Sequence, residues 1–177
     1  MRAEAASRQV LALDPGPEQT GYVLADYDQR SGKILVAEAA VKPNAEILRV
    51  IGRCPANTLV LVEEMTVYGM MSYAALASIL PTVRWEGKFE LASDWAGLEC
   101  LMVRRPDVRK AVAGSCRAKR PHVRACLIEQ FSPGQNPRKK GTPLHGVTSH
   151  AWEALALIGW YVRTCGKGDE VWQDSGR

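Results

Sequence analysis

Residues 9–14 (Q-V-L-A-L-D) are a short apolar run rich in branched side chains, closed by Asp14-Pro15-Gly16. A run of this kind ending in a strong turn signal predicts a buried strand. Residues 20–26 (T-G-Y-V-L-A-D) predict a second strand, and residues 33–41, after the Ser31-Gly32 turn, a third. Their short connections make the three an antiparallel meander. Pro43-Asn44 then opens a short helix, with Ile47, Leu48 and Ile51 as its apolar stripe. Residues 58–62 (T-L-V-L-V) are apolar throughout, the pattern of a strand covered on both faces, and run directly into Glu63-Glu64.

Beyond this point helical spacing dominates. Residues 70–83 read as a small-residue helix rich in Met, Ala and Ser, which Pro81 should kink or end. Residues 85–92 resume helical character less clearly, and 101–104 are a further strand candidate. Residues 106–113 and 118–131 predict two basic helices, the second turning Val123, Cys126, Leu127 and Phe131 inward. Residues 132–149 carry only turn and loop signals, a length that in a compact domain points to function or mobility. A last helix is predicted over about 149–163, apolar at Ala154, Leu155, Leu157, Ile158 and Tyr161, with a frayed tail after Gly166. Meander, crossover helix, buried strand and then alternating helix and strand predict an α/β domain with a mixed sheet.

The 177 residues suit a single domain, with a core over about 9–163 and a flexible tail over 166–177. Hydrophobic residues at 46% and charged residues at 24% exclude wholesale disorder. No apolar run reaches membrane-spanning length and the N-terminus lacks a signal-peptide core, so no membrane partner is expected. The five cysteines are odd in number, scattered and never spaced C-x-x-C. That argues against a disulfide framework or a thiolate zinc site, and for a reducing, cytoplasmic setting.

Charge changes the picture more than composition does. Residues 101–140 hold 11 Lys/Arg against 2 Asp/Glu, whereas residues 1–100 hold 9 against 13. So long a basic block, almost without compensating acids, reads as a phosphate-facing surface, although a solvated helix face is the ordinary alternative.

The acids fall where strands and helices end. Asp14 closes the first strand and Glu63 the fourth. If those strands are adjacent and parallel, as a crossover helix permits, the two carboxylates meet at the carboxyl edge of the sheet. Glu64 then points to the opposite face. His150 and Glu153, spaced i, i+3, share one face of the last helix. Asp14, Glu63, His150 and Glu153 form a donor set suited to two divalent cations, the arrangement that activates water and stabilises the leaving oxygen in phosphodiester cleavage. The imidazole widens acceptance of Mn²⁺ beside Mg²⁺. Each residue alone has a structural alternative: a turn former, a strand-end acid, a near-cap histidine, a first-turn acid suited to the helix dipole.

These segments resemble the RuvC-type Holliday junction resolvases of the RNase H-like superfamily. L-A-L-D-P-G-P-E-Q-T-G-Y-V-L-A-D is similar to the family's opening strand, turn and strand, and L-V-L-V-E-E-M to its second catalytic block, with the catalytic Glu at Glu63. V-R-R-P-D-V-R-K-A-V-A-G-S-C-R-A-K-R resembles the basic stretch before the last helix, with Arg109 and Arg120 at its two basic positions. S-H-A-W-E-A-L-A-L-I resembles the closing helix, with His150 and Glu153 where the family usually carries an Asp pair. The family's aromatic after the catalytic Glu is replaced by Thr66, leaving Tyr68 as the nearest candidate to stack at the crossover.

The resemblance implies an RNase H-like fold, a mixed five-stranded sheet with helices on both faces, over residues 9–163. It implies a crossover junction endonuclease with two Mg²⁺ per site (Mn²⁺ also supporting activity), acting as a homodimer on four-way DNA in a bacterial cell or phage-infected host. DNA contacts are expected from Tyr68, Lys88, Arg109, Lys110, Arg117, Lys119, Arg120 and the loop cations Arg138, Lys139 and Lys140. Two alternatives stand beside this: a nuclease of the same fold acting on other branched DNA or hybrids, and a junction-binding protein whose site has decayed. An actin-like phosphotransferase needs a duplicated domain, for which the chain is too short.

Overall fold

The structure, a computed structural model, describes residues 7–66 and 69–165. Tyr68 and the tail 166–177 lie outside the described residues. The meander forms as expected: β1 (Ser7–Pro15), β2 (Gln19–Asp28) and β3 (Lys33–Pro43) pair antiparallel. The chain crosses over through α1 (Asn44–Ile51) and returns as β4 (Leu59–Glu64), parallel to β1. β5 (Glu99–Arg104) adds parallel to β4, completing a mixed five-stranded sheet in the order β3-β2-β1-β4-β5.

Strand alternation sorts the apolar side chains onto two faces. Val10, Ala12, Leu59 and Leu61 pack with α3 (Arg105–Ala113), α4 (Arg120–Phe131) and α5 (Ala151–Thr164), whose Val112, Leu127 and Leu155 belong to the same core. Leu11, Leu13, Val60 and Val62 face the other way, against Ile47 and Ile51 of α1 and Phe89 of α2 (Tyr73–Trp95). The continuous apolar run of β4 is thus explained by helices on both sides.

Most elements begin and end within about two residues of their predicted bounds. The exception is α2, which runs unbroken for 23 residues, so Pro81 does not end the helix and residues 85–92 belong to it. Pro81 deprives the Ala77 carbonyl of its helical partner, but that turn is exposed and water can serve it. Beyond Pro81, buried Thr82, Glu86, Phe89 and Ser93 fasten the helix to the sheet, whereas no residue of 73–81 is buried. The Ser72 hydroxyl caps its start, accepting from the Ala75 N–H at 3.2 Å.

Residues 132–149 form turns only, held in place by buried Leu144 and Val147 and by the Val36 N–H donating to the Pro143 carbonyl at 3.2 Å. Among the described residues no helix is long and apolar enough to cross a membrane. All five cysteines are free.

Candidate active site

The register of β1 against β4 sets Leu13 beside Val62, so Asp14 and Glu63 follow side by side at the carboxyl ends of the two strands. Both point to the α5 side and are largely buried, at 6% and 7% exposure. Glu64 falls on the opposite face, as alternation requires.

The third contribution comes from α5. Ser149 adopts a left-handed backbone (φ 46°) that turns the chain into the helix, and His150 follows as its N-cap residue. The His150 Nδ1 lies 3.5 Å from Asp14 Oδ2. Gly21, opposite Asp14 on β2, makes that approach possible: a Cβ there would lie 2.7 Å from the His150 backbone carbonyl. Glu153 sits in the first turn of α5, with its side chain 14% exposed.

Arginines neutralise part of this charge. Val103 of β5 lies beside Glu63, so Arg105 emerges just past the strand end. Its Nε donates to Glu63 Oε1, and its Nη2 lies 3.4 Å from Asp14 Oδ1. Arg120 Nε pairs with Glu153 Oε1 at 2.9 Å. The compensation is incomplete. Burial first, then repulsion from Glu63, pushes the Asp14 carboxyl up to about 8; Arg105 pulls it down, and Glu153 adds to the rise. As the side chains stand, no group of three His, Cys, Asp or Glu among the described residues could hold a metal ion. The reason is visible in the geometry: Glu63 and one oxygen of Asp14 are turned to Arg105.

The groups around the acids line a run of cavities. A cleft of ≈ 260 Å³ is bordered by Asp14, Glu63, Glu64, Glu86, Arg105 and Arg109. Asp14 and Arg105 also border a second cavity of ≈ 320 Å³, which extends to Arg120 and His150. Those two border a third of ≈ 380 Å³, where the Arg124 guanidinium lies 4.4 Å from the Trp152 ring centre.

Of the predicted DNA-contacting residues, Arg109 lines the first cavity with a buried Nε that has no hydrogen-bond partner among the described residues, and Arg120 lines the other two. Lys110, Arg117 and Lys119 are exposed on α3 and the turn before α4. Arg138, Lys139 and Lys140 are exposed too but border none of the three cavities. Lys88 is not brought to the acids: its ammonium lies 4.1 Å from the Trp85 ring centre, and it lines a groove between α1 and α2. Two residues from Glu86 on α2, it points to the opposite side of the helix.

Sequence reasoning missed Arg105, Glu86, Asn44 and the close approach at Gly21. Buried Asn44 accepts from the Thr20 hydroxyl at 2.6 Å and donates to the Gly16 carbonyl at 3.0 Å, fixing the turn that follows Asp14. Glu86 accepts from the Met65 N–H at 3.1 Å and holds the chain leaving β4; burial pushes its carboxyl up. The position of Arg105 directly after a strand parallel to β4 was the available signal.

A five-stranded sheet in this order, flanked by helices and carrying carboxylates at the ends of its first and fourth strands, is an RNase H-like fold. No protein-family model and no curated protein sequence matches the chain. Among solved structures it is similar to RuvC of Thermus thermophilus, at 22% identity and TM-score 0.62, over 88% of this chain and 95% of that one. It is also similar to T. thermophilus RuvC in complex with Holliday junction substrate, at 21% identity and TM-score 0.65, over 91% and 96%. The yeast mitochondrial Holliday junction resolvase Ydc2 is similar at 11% identity and TM-score 0.60, over 91% and 82%. The chain therefore has the RuvC fold that its sequence blocks implied.

Proposed function

We propose that the chain is a divalent-metal-dependent endonuclease that resolves four-way DNA junctions by paired symmetric nicks. The observation that carries this is the meeting of Asp14, Glu63, His150 and Glu153 at one edge of a RuvC fold.

The donor set fits hard divalent cations, Mg²⁺ or Mn²⁺, two per site. It offers carboxylate oxygens from three segments and one imidazole. Asp14, Glu63, His150 and Glu153 would hold the ions, which when bound supply water activation and charge neutralisation at phosphorus. The chain's own groups do the rest. Burial of Asp14 and Glu63 excludes water from one side of the cluster, and the Asn44-bound turn and Gly21 set the Asp14–His150 geometry. Arg109, which lines the cleft beside the acids, offers its guanidinium to a phosphate oxygen. Lys110, Arg117, Lys119 and Arg120 add salt-dependent backbone contacts, and Arg138, Lys139 and Lys140 more distant ones.

Symmetric cutting needs a homodimer, and α2 supports one. Tyr73, Leu76, Leu80, Val83, Leu91 and Trp95 are exposed along one stripe of the helix, in steps of three, four or eight residues, opposite the face carrying buried Glu86 and Phe89. The chain acts as one nuclease domain in the bacterial or phage-infected cytosol, where free thiols persist.

Junction binding without cleavage is a second reading, favoured by Arg105, whose guanidinium partners both Asp14 and Glu63. A labelled immobile junction and a linear duplex, each with Mg²⁺, Mn²⁺ or EDTA and an Asp14→Asn control, decide between them. Paired metal-dependent nicks absent from the variant support resolution. Tight junction binding with no nicks under either metal supports the second reading.

A further inference from the structure

We propose that Arg105 is a resident counter-ion of the acidic cluster, which divalent cations must displace, so that this one side chain sets the metal affinity of the site. The proposal rests on the metal-dependent reading above. Its guanidinium bridges the two buried carboxylates at the strand ends, Glu63 through Nε and Asp14 through Nη2, and so occupies the place where a cation would bind both. A fork of this kind can serve two carboxylates at once, which a lysine ammonium on the same stem does less well. It also accounts for the present lack of any metal-ready trio among the described acids and His150, despite their convergence.

The displaced side chain has a place to go. Arg105 is 39% exposed along its side chain and borders the cavities on both sides of Asp14. Rotation carries its guanidinium from the carboxylates into the groove, where phosphate oxygens offer equivalent partners. A metal and Arg105 therefore exclude one another at the acids, and the cluster always has one of the two cations to offset part of its charge.

The test is calorimetric titration of Mn²⁺ into the metal-free protein, comparing wild type, Arg105→Gln and Arg105→Lys, with Asp14→Asn in each background as the site control. Thermal unfolding is followed in EDTA and in saturating Mn²⁺. Expected are Mn²⁺ binding tightened by about tenfold or more in Arg105→Gln, an intermediate value for Arg105→Lys, and loss of binding with Asp14→Asn. Arg105→Gln should melt below wild type in EDTA, and the gap should close with Mn²⁺. A structural role alone lowers the melting temperature under both conditions and leaves Mn²⁺ affinity unchanged or weaker; that result overturns the proposal. If Mn²⁺ binds none of the variants, or binds independently of Asp14, the metal-site reading itself falls and the proposal with it.

Discussion

Replacing Asp14 with Asn removes an ionisable group whose charged form burial and Glu63 both oppose, and the metal-free protein should become more stable for it. The folded carboxyl is raised to about 8, against an ordinary value of 3.8. Between those values the folded chain holds a proton that the unfolded chain has released. Stability therefore falls as pH rises through this window, by at most about 1.4 kcal/mol per pH unit, and is fully recovered below the ordinary value. From about pH 4 to pH 7 the full slope amounts to about 4 kcal/mol; water entering the cleft and movement of Arg105 leave about 1–3 kcal/mol. For a chain of this size that is a rise of about 3–10 °C in melting temperature for Asp14→Asn near neutral pH. The assay is thermal unfolding in EDTA from about pH 4.5 to pH 8 for both proteins. The wild-type curve should descend with pH while the variant's stays flatter, and saturating Mn²⁺ should reverse their order, since only the wild type gains the ligand. A variant that melts below wild type in EDTA at neutral pH, or two parallel pH profiles, would refute the reasoning.

Three further outcomes follow from particular contacts. Gly21→Ala forces a Cβ against the His150 backbone at 2.7 Å, which should cost about 1–3 kcal/mol and at least about tenfold in junction cleavage by moving His150 from Asp14; an unchanged melting temperature together with full activity would rule out the contact's importance. Leu80→Glu alters an exposed residue and should leave monomer stability within about 0.5 kcal/mol, yet sedimentation should show the loss of the dimer; a wild type that is already monomeric at tens of micromolar contradicts the α2 interface. Arg109→Ala removes a guanidinium that lines the cleft beside the acids, so its main effect should be on DNA: binding weakened across sequences and the salt slope reduced by about one, with an unchanged slope counting against a phosphate contact.

Much of this architecture is local enough to read from the chain. The Asp14-Pro15-Gly16 turn, the alternation in β2, the doubly covered run of β4 and the i, i+3 pair on α5 are patterns whose meaning depends on near neighbours. From them follow the mixed sheet, the strand-end positions of Asp14 and Glu63, and the opposed direction of Glu64. The i, i+3 spacing also puts His150 and Glu153 on one face.

What the tertiary structure alone decided are the encounters between segments distant in sequence. Pro81 remains within α2 because the residues after it are held by the sheet and the carbonyl it orphans faces water; propensity contains neither fact. Arg105 reaches Asp14, 91 residues away, through the register of β5 on β4, which no spacing along the chain specifies. Gly21 is required by the backbone of His150, and Asn44 by the turn it ties, both across the fold. Local pattern settles which way a side chain points; only packing settles what it meets, because burial changes the cost of a charge and proximity determines which partner repays it.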